Sequence, residues 1–419
     1  MNATDRGEPG LGLPPSSSVP AAGLLPSLAL AAFLPIFATL IVAAALPGVQ
    51  AEFGLAGSTS GFLLAVNLLG LAIGYLAGGI ASDRWGRRAV LLTALGLFAM
   101  ASLLISVVQS FAPFLVLRIA QALFGGAALI VLSPIVHDVF AGNVPQAARG
   151  NVAIATATAL GPLLGIPAGA LLQHTASWRL GFVLVAALGL AAIAAGSWCV
   201  PHRRPRPRVG HATHAAALPT WRMHLGNGRL LAAALPGALS LSIVYAFMTA
   251  APFLVMSDWG HEPGFFGLAS MLPPAGMLVA GLVTRRIISR RFALFGRLAR
   301  IAGALQVAGA LLLALALSGG WLAPASLFAT GVLWAAGNGV LIGFSVTFAL
   351  SQAREGLGTA GALVGFLHMT GAALGSSFIS LADGATAGHL LAWSAAAACL
   401  NVAAIHLAAR HRAGAAPEA

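Results

Sequence analysis

Long apolar runs alternate with short polar breaks along nearly the whole chain. The runs fall at roughly 24–46, 58–81, 89–109, 112–135, 151–173, 180–200, 230–257, 265–284, 299–318, 321–350, 359–382 and 388–409, with edges uncertain by a few residues. Each holds about 20 residues or more, enough to cross a hydrocarbon core of about 30 Å as a helix. A bilayer offers no partner to unpaired backbone groups, so a helix is the form each run must take. The pattern predicts an all-α membrane protein with twelve spanning helices.

The polar breaks organise these helices. Residues 1–22 are rich in Pro, Gly and Ser and lack the basic-then-apolar order of a signal peptide, so they are expected to form a disordered cytoplasmic tail. The stretch 201–229 is the longest internal polar segment, with Pro-Arg repeats and His211 and His214. It divides an N-terminal six-helix bundle, 23–200, from a C-terminal one, 230–410, with a short tail at 411–419. A flexible linker is the expected role, and the two histidines do not make a metal site.

Composition agrees with lipid as the main solvent. Hydrophobic residues make up 59% and charged residues 8%, with mean hydropathy +0.92; a soluble domain carries about 25% charged residues. The formal charge of +12 raises the question of nucleic acid. Its distribution excludes that reading. Every basic side chain is arginine, and all but Arg118 and Arg179 fall at ends and loops that alternate onto one side. This bias predicts that side, with both termini, to be cytoplasmic. Cys199 and Cys399 lie in opposite halves, with no metal-ligand spacing, and are expected to be packing residues.

The break Gly79-Ile80-Ala81-Ser82-Asp83-Arg84-Trp85-Gly86-Arg87-Arg88 concentrates charge between two apolar runs. It matches the pattern G-x-x-x-D-R/K-x-G-R-R/K. On this motif the chain resembles the major facilitator superfamily of secondary transporters, which implies two pseudo-symmetric six-helix bundles. Gly281-Leu282-Val283-Thr284-Arg285-Arg286 holds the corresponding place in the second half, without the acid. Further stretches resemble the bicyclomycin- and chloramphenicol-resistance subfamily of twelve-helix drug:proton antiporters. They are Leu46–Gly54, Leu117–Ala127, Ile135–Phe140, Ser177–Arg179, Ala251–Phe253 and Gly358–Leu363. The resemblance implies multidrug efflux from the bacterial inner membrane, driven by the proton gradient and without a bound cofactor.

In that family the Gly79–Arg88 cluster latches the two halves together. Gly79 and Gly86 would allow tight packing and a sharp turn. Asp83 would accept from exposed amides at the start of helix 11, near Gly358 and Thr359, and Arg84, Arg87 and Arg88 would pair with Asp83 or anionic lipid. The alternative is a purely topological role for the arginines.

Arg118 lies within helix 4, with Gln121 three residues on. A charge in hydrocarbon faces a wet cavity or a partner, so it is expected either to line the transport path or to snorkel outward. Helix 5 carries Gly161, Pro162, Gly165 and Gly169, a small-residue stripe that partly matches the antiporter signature; close packing alone would also account for it. His368 could relay protons or serve as a neutral hydrogen-bonding residue. Asn67, Tyr245, Trp334 and Asn338 are candidate cavity residues, each also compatible with packing. Ser376 and Ser377 near His368 raise a hydrolase reading, but no acid or nucleophile turn accompanies them, so no enzyme is expected.

Antiporters of the resembled subfamily carry an aspartate within helix 1. The matching position here is Leu40, and all ten acids lie in tails, loops or helix ends. Arg118 thus has no membrane-embedded counter-charge. A small hydrophobic substrate, neutral or anionic, is expected to enter a monomer surrounded by lipid, and an aspartate placed at Leu40 is expected to pair with Arg118 if the two helices face each other. A transporter of a single metabolite, proton-coupled or facilitative, is the alternative.

Overall fold

The computed structural model describes residues 21–55, 57–141, 143–175, 177–201, 222–353, 356–381 and 386–413. The first twenty residues of the expected tail, residues 202–221 of the linker with His211 and His214, and the loops holding Arg354 and Asp383 lie outside them.

Twelve helices are long and apolar enough to span a membrane. They are α1 (Ala21–Leu40), α2 (Gly57–Trp85), α3 (Arg87–Val107), α4 (Phe111–Val139), α5 (Val144–Thr175), α6 (Trp178–Cys199), α7 (Gly228–Pro252), α8 (Leu272–Ile288), α9 (Phe295–Ser318), α10 (Pro324–Ser351), α11 (Leu357–Leu381) and α12 (Ala387–Ala413). The last runs to Ala413, three residues past the expected end of its bundle at 410.

Three predicted helices depart from a continuous rod, each at proline. The first stops at Leu40 and passes through a tight turn, Ala43–Ala45, into a short helix, Leu46–Phe53. Pro47 cannot donate to the carbonyl four residues back, so the ladder breaks there. Beyond Pro252, α7 widens into a π turn, Phe253–Asp258. The eighth span is split into a short helix, Pro263–Ala269, and α8, whose first turn holds Pro273 and Pro274.

Two kinds of helix pair build each half. In the first half, α1 packs on α5 and α2 on α4; in the second, α7 packs on α11 and α8 on α10. These pairs correspond one to one under the six-helix repeat. Their closeness depends on glycine. A Cβ at Gly169 would lie 2.0 Å from the Ile41 carbonyl oxygen, and one at Gly375 would lie 2.0 Å from that of Ser242. Gly74 and Gly339 play the same part in the other pairs, at 2.2 Å from Leu123 O and 2.3 Å from Met277 O. Without a hydrophobic drive between helices in lipid, such backbone approach supplies dispersion contact.

The halves meet along two seams. One is α2 against α11, the most extensive helix contact among the described residues. The other joins α5 to the short helix Pro263–Ala269, where a Cβ at Gly267 would lie 2.6 Å from Ala170 Cβ and 3.3 Å from Pro167 Cα.

Candidate functional site

The two ends of the bundle differ. We call the end where α1 and α7 begin the arginine end, since the described arginines gather there apart from Arg118 and Arg179. On α1 the stripe Pro26, Leu30, Phe33 is open or half-buried, whereas every residue from Leu34 to Ala43 is buried. On α7, Leu231, Leu235 and Leu239 form the matching stripe, with Leu235 44% exposed. Beyond it, from Ser240 to Pro252, only Val244 is less than buried. These stripes lie on the central helix of each half and at one end. Both helices thus leave apolar faces open at the arginine end, as the walls of a cleft there would be, while a cavity of about 240 Å³ lined by Phe62, Phe111 and Leu381 lies toward the other end. Consistently, α5 and α8 lie in the least buried spans and touch each other only slightly.

At the arginine end, Gly86 alone separates α2 from α3. Its φ of 87° lies in the left-handed region, where a side chain is strained. The reversal aims the motif arginines at their own half. Arg87 forms an ion pair with Asp138 at the end of α4 and donates to the Pro134 carbonyl; Arg88 donates to the Ser197 carbonyl at the end of α6. These contacts tie both arginines to their own half, a role the sequence reading did not foresee. Arg84 is exposed. The backbone of Asp83 is in the last turn of α2, but its side chain lies outside the described part. Gly79 touches the other half, yet its role differs from the expected one. A Cβ there would lie 3.7 Å from Ala362 Cβ, an ordinary contact, so tight packing does not require glycine at this position.

Arg118 is 1% exposed and does not snorkel. Its Nη1 donates to Gln121 Oε1 at 2.5 Å and to the Ala38 carbonyl at 3.3 Å, and its guanidinium lies 5.4 Å from the centre of the Phe182 ring. Gln121 in turn donates to Ser102 Oγ at 2.6 Å. The Arg118 Nε has no partner among the described residues. The cation is thus held by neutral oxygens and a ring face between α1, α4 and α6, and in this conformation it does not open to the cleft. Leu40 does not face it. The Leu40 side chain is turned toward α5, 3.3 Å from where a Cβ of Gly165 would stand. An aspartate at Leu40 would therefore be buried against α5 rather than paired with Arg118.

The helix-5 motif packs as its spacing implies. Gly161, Gly165 and Gly169 all lie on α1, with Pro162 beside the first. Three of the candidate cavity residues are interior instead. Asn67 accepts from the Thr39 hydroxyl at 2.8 Å and donates to the Arg118 carbonyl at 3.5 Å. Trp334 is fully buried and donates to the Gln306 carbonyl at 3.1 Å, in space that Gly309 leaves free. Asn338 is buried against Met277 of α8. Large polar side chains in the sequence could not be assigned to cavity or core without knowing which face each neighbour covers.

His368 is buried, at 3.0 Å from Ser345 Oγ, and sits over Gly237 of α7. The Ser345 hydroxyl donates its single proton to the Ala234 carbonyl. Ser345 thus joins His368 to the α7 backbone in one buried polar cluster. Ser376 is hydrogen-bonded with Thr249 at 2.7 Å. Tyr245 is buried within α7.

One cluster escaped the sequence reading. Glu52 forms an ion pair with Arg179 and accepts from Trp178 Nε1 at 2.6 Å, while Arg179 also lies over the Trp178 ring. Phe53, Phe114 and Phe182 pack around this tryptophan, and Phe111 packs on Phe53. The single arginine on an otherwise acidic end was the available signal. It staples the helix 1–2 connection to α6.

The comparisons match this geometry. The sequence model of the Major Facilitator Superfamily matches residues 28–376. A chloramphenicol resistance protein of Pseudomonas aeruginosa is 31% identical over 355 residues, covering 83% of this chain and 76% of that protein. A bicyclomycin resistance protein homolog of Haemophilus influenzae is 26% identical, covering 74% and 77%. Among solved structures, a D-xylose-proton symporter superposes with a TM-score of 0.70 at 15% identity over 91% of this chain and 97% of its own, a likeness of fold. With twelve spans in two glycine-packed halves, the chain belongs to the Major Facilitator Superfamily and is a multi-pass membrane secondary transporter.

Proposed function

We propose that the protein exports small hydrophobic drugs or metabolites across the bacterial inner membrane by alternating access, exchanging them for protons. The apolar faces open at the arginine end carry this reading. They stand on α1 and α7, and no acid stands within the membrane thickness among the described residues. Such walls suit an uncharged apolar solute. The relatives named for chloramphenicol, bicyclomycin and multidrug resistance support the same cargo. The arginine end is the cytoplasmic one, with both termini, and the protein works as a monomer in lipid. The structure then represents the state that loads from the cytoplasm or the inner leaflet.

Without an acid on α1, proton exchange falls to Asp83, Asp138, His368 or the substrate. Of these, only His368 is inside the membrane thickness. The α2–α11 seam is the natural place for Asp83 to reach the start of α11 and act as latch. A susceptibility panel in an efflux-deficient bacterial host tests the reading. Raised resistance to several unrelated apolar compounds is expected. No change across the panel, together with pH-gradient-dependent uptake of one metabolite in proteoliposomes, would replace it with single-solute transport.

A further inference from the structure

His368 lies in the middle of α11, 5% exposed, on the face that packs against α7. A Cβ at Gly237 of α7 would stand 2.3 Å from its Nε2 and 2.9 Å from Ser345 Oγ, so glycine lets the ring and the hydroxyl lie flush on the α7 backbone. Ser345 of α10 is 3.0 Å from Nε2 and donates to the Ala234 carbonyl at 3.0 Å, which leaves its lone pairs free to accept from the ring. The other ring nitrogen, Nδ1, has no hydrogen-bond partner among the described residues.

These contacts suit a neutral imidazole. A protonated ring carries two donors, and Ser345 can take only one. The helices packed on α11 are α2 and α7, with lighter contact to α10 and α12. Within the membrane thickness α2 contributes the Tyr75 phenol, α7 the Tyr245 phenol and α10 no titratable group, while α12 holds Cys399, with His389 and His406 toward its ends. Asp83, Arg84 and Arg229 come only in the terminal turns of α2 and α7. A cation in such surroundings has no counter-charge and persists only where water reaches it. The proton and the present packing therefore exclude each other. His368 stands one turn from Gly365, where a Cβ would lie 3.5 Å from the Tyr75 ring across the α2–α11 seam, so separation of the halves there brings water within reach of the imidazole.

We propose that His368 is the proton-carrying site of the exchange, neutral in the conformation open at the arginine end and protonated in the alternate conformation that hydrates its ring. This deepens the export reading above and rests on it for the direction of flow. A ligand shifts a two-state equilibrium by its differential affinity for the two states, and here that ligand is the proton. Protonation draws the molecule toward the alternate conformation, and return to this one releases the proton at the arginine end.

The test reads conformation first. Spin labels are placed on cysteines at Gln109 and Gly264, both exposed and one in each half at the end away from the arginines, in a background with Cys199 and Cys399 replaced. In nanodiscs, lowering the pH from about 8 to about 5.5 brackets histidine titration. The ratio of long to short distances in the wild type should rise, by up to about tenfold per pH unit for one linked proton. In His368→Gln the ratio should stay flat. An equal rise in the variant overturns the proposal and moves the proton to Asp83 or Asp138, and a flat wild type overturns it as well. Transport in proteoliposomes separates coupling from packing. His368→Gln should lose chloramphenicol transport driven by a pH gradient yet keep exchange of labelled for unlabelled chloramphenicol at equal pH. Loss of both assigns the ring to packing and overturns the proposal. A wild type that moves no chloramphenicol, while its pH response is lost in His368→Gln, overturns the export reading and leaves the proton site standing.

Discussion

Replacing Gly267 should open the end opposite the arginines. Its Cβ would stand 2.6 Å from Ala170 Cβ, about 1 Å inside the ordinary carbon contact of about 3.5–4.0 Å. Neither partner is the tip of a flexible side chain, so relief requires the short helix Pro263–Ala269 to move away from α5. Both helices keep their partners within their own halves, so the strain falls on the closed seam and not on the fold of either half. Overpacking of this kind costs about 1–3 kcal/mol, which shifts a two-state equilibrium by roughly 5- to 150-fold. Gly267→Ala should give the lower part of that range and Gly267→Val the upper. The reporter is a cysteine at Ala251, buried on α7 beyond the cleft, in a background with Cys199 and Cys399 replaced. Its rate of maleimide labelling in nanodiscs should rise in the order Gly, Ala, Val at position 267. Equal labelling in folded Gly267→Val would refute the assignment of this contact as the closure.

Further outcomes follow from the same geometry. Gly169→Ala should destabilise the protein by about 2 kcal/mol or more, because its Cβ would meet a carbonyl oxygen at 2.0 Å, whereas Gly79→Ala should be near neutral at 3.7 Å; fluorescence-detected thermal stability separates the two. Asp83→Asn should reach the membrane in normal amount yet lose most transport, and full activity would leave its motif only a topological role. Cysteines at Ser58 and Glu262 should react with an impermeant reagent added outside spheroplasts and one at Arg208 should not; the reverse would invert the topology. With Arg118 buried and met only by neutral groups, uncharged phenicols should be transported and a quaternary ammonium dye should not, by at least about tenfold; robust dye efflux would refute the charge argument.

The twelve spans and their order were legible because hydrocarbon thickness imposes a run length that any residue pattern must satisfy. Breaks at Pro47, Pro252 and Pro273 were legible in principle, as each removes a known donor, but an apolar run hides them. Faces were harder. A lipid-facing side and a core side are both apolar, so the period that marks a water-soluble helix is missing, and Trp334 and Asn338 read as well for cavity as for interior. Charged partners were hardest. Arg87 reaches Asp138 and Arg179 reaches Glu52 across loops whose folding no local spacing reports.

The glycine distances also explain why such a chain can move without coming apart. Within the halves, the α1–α5, α2–α4, α7–α11 and α8–α10 pairs bring backbone against backbone, so close that a single methyl would stand 2.0–2.3 Å from a carbonyl oxygen. Across the α2–α11 seam the equivalent distances are 3.5 Å at Gly365 and 3.7 Å at Gly79, ordinary side-chain contact. Interlocked backbones resist sliding, because any shift collides; side-chain surfaces at van der Waals distance can part and re-form at small cost. The halves therefore move as rigid bodies, and the α2–α11 seam is the surface on which they roll. The close approach at Gly267 is the exception among contacts between halves. It stands where the fold needs one seam to seal tightly and release completely, and that makes it the position at which a single carbon atom should bias the cycle.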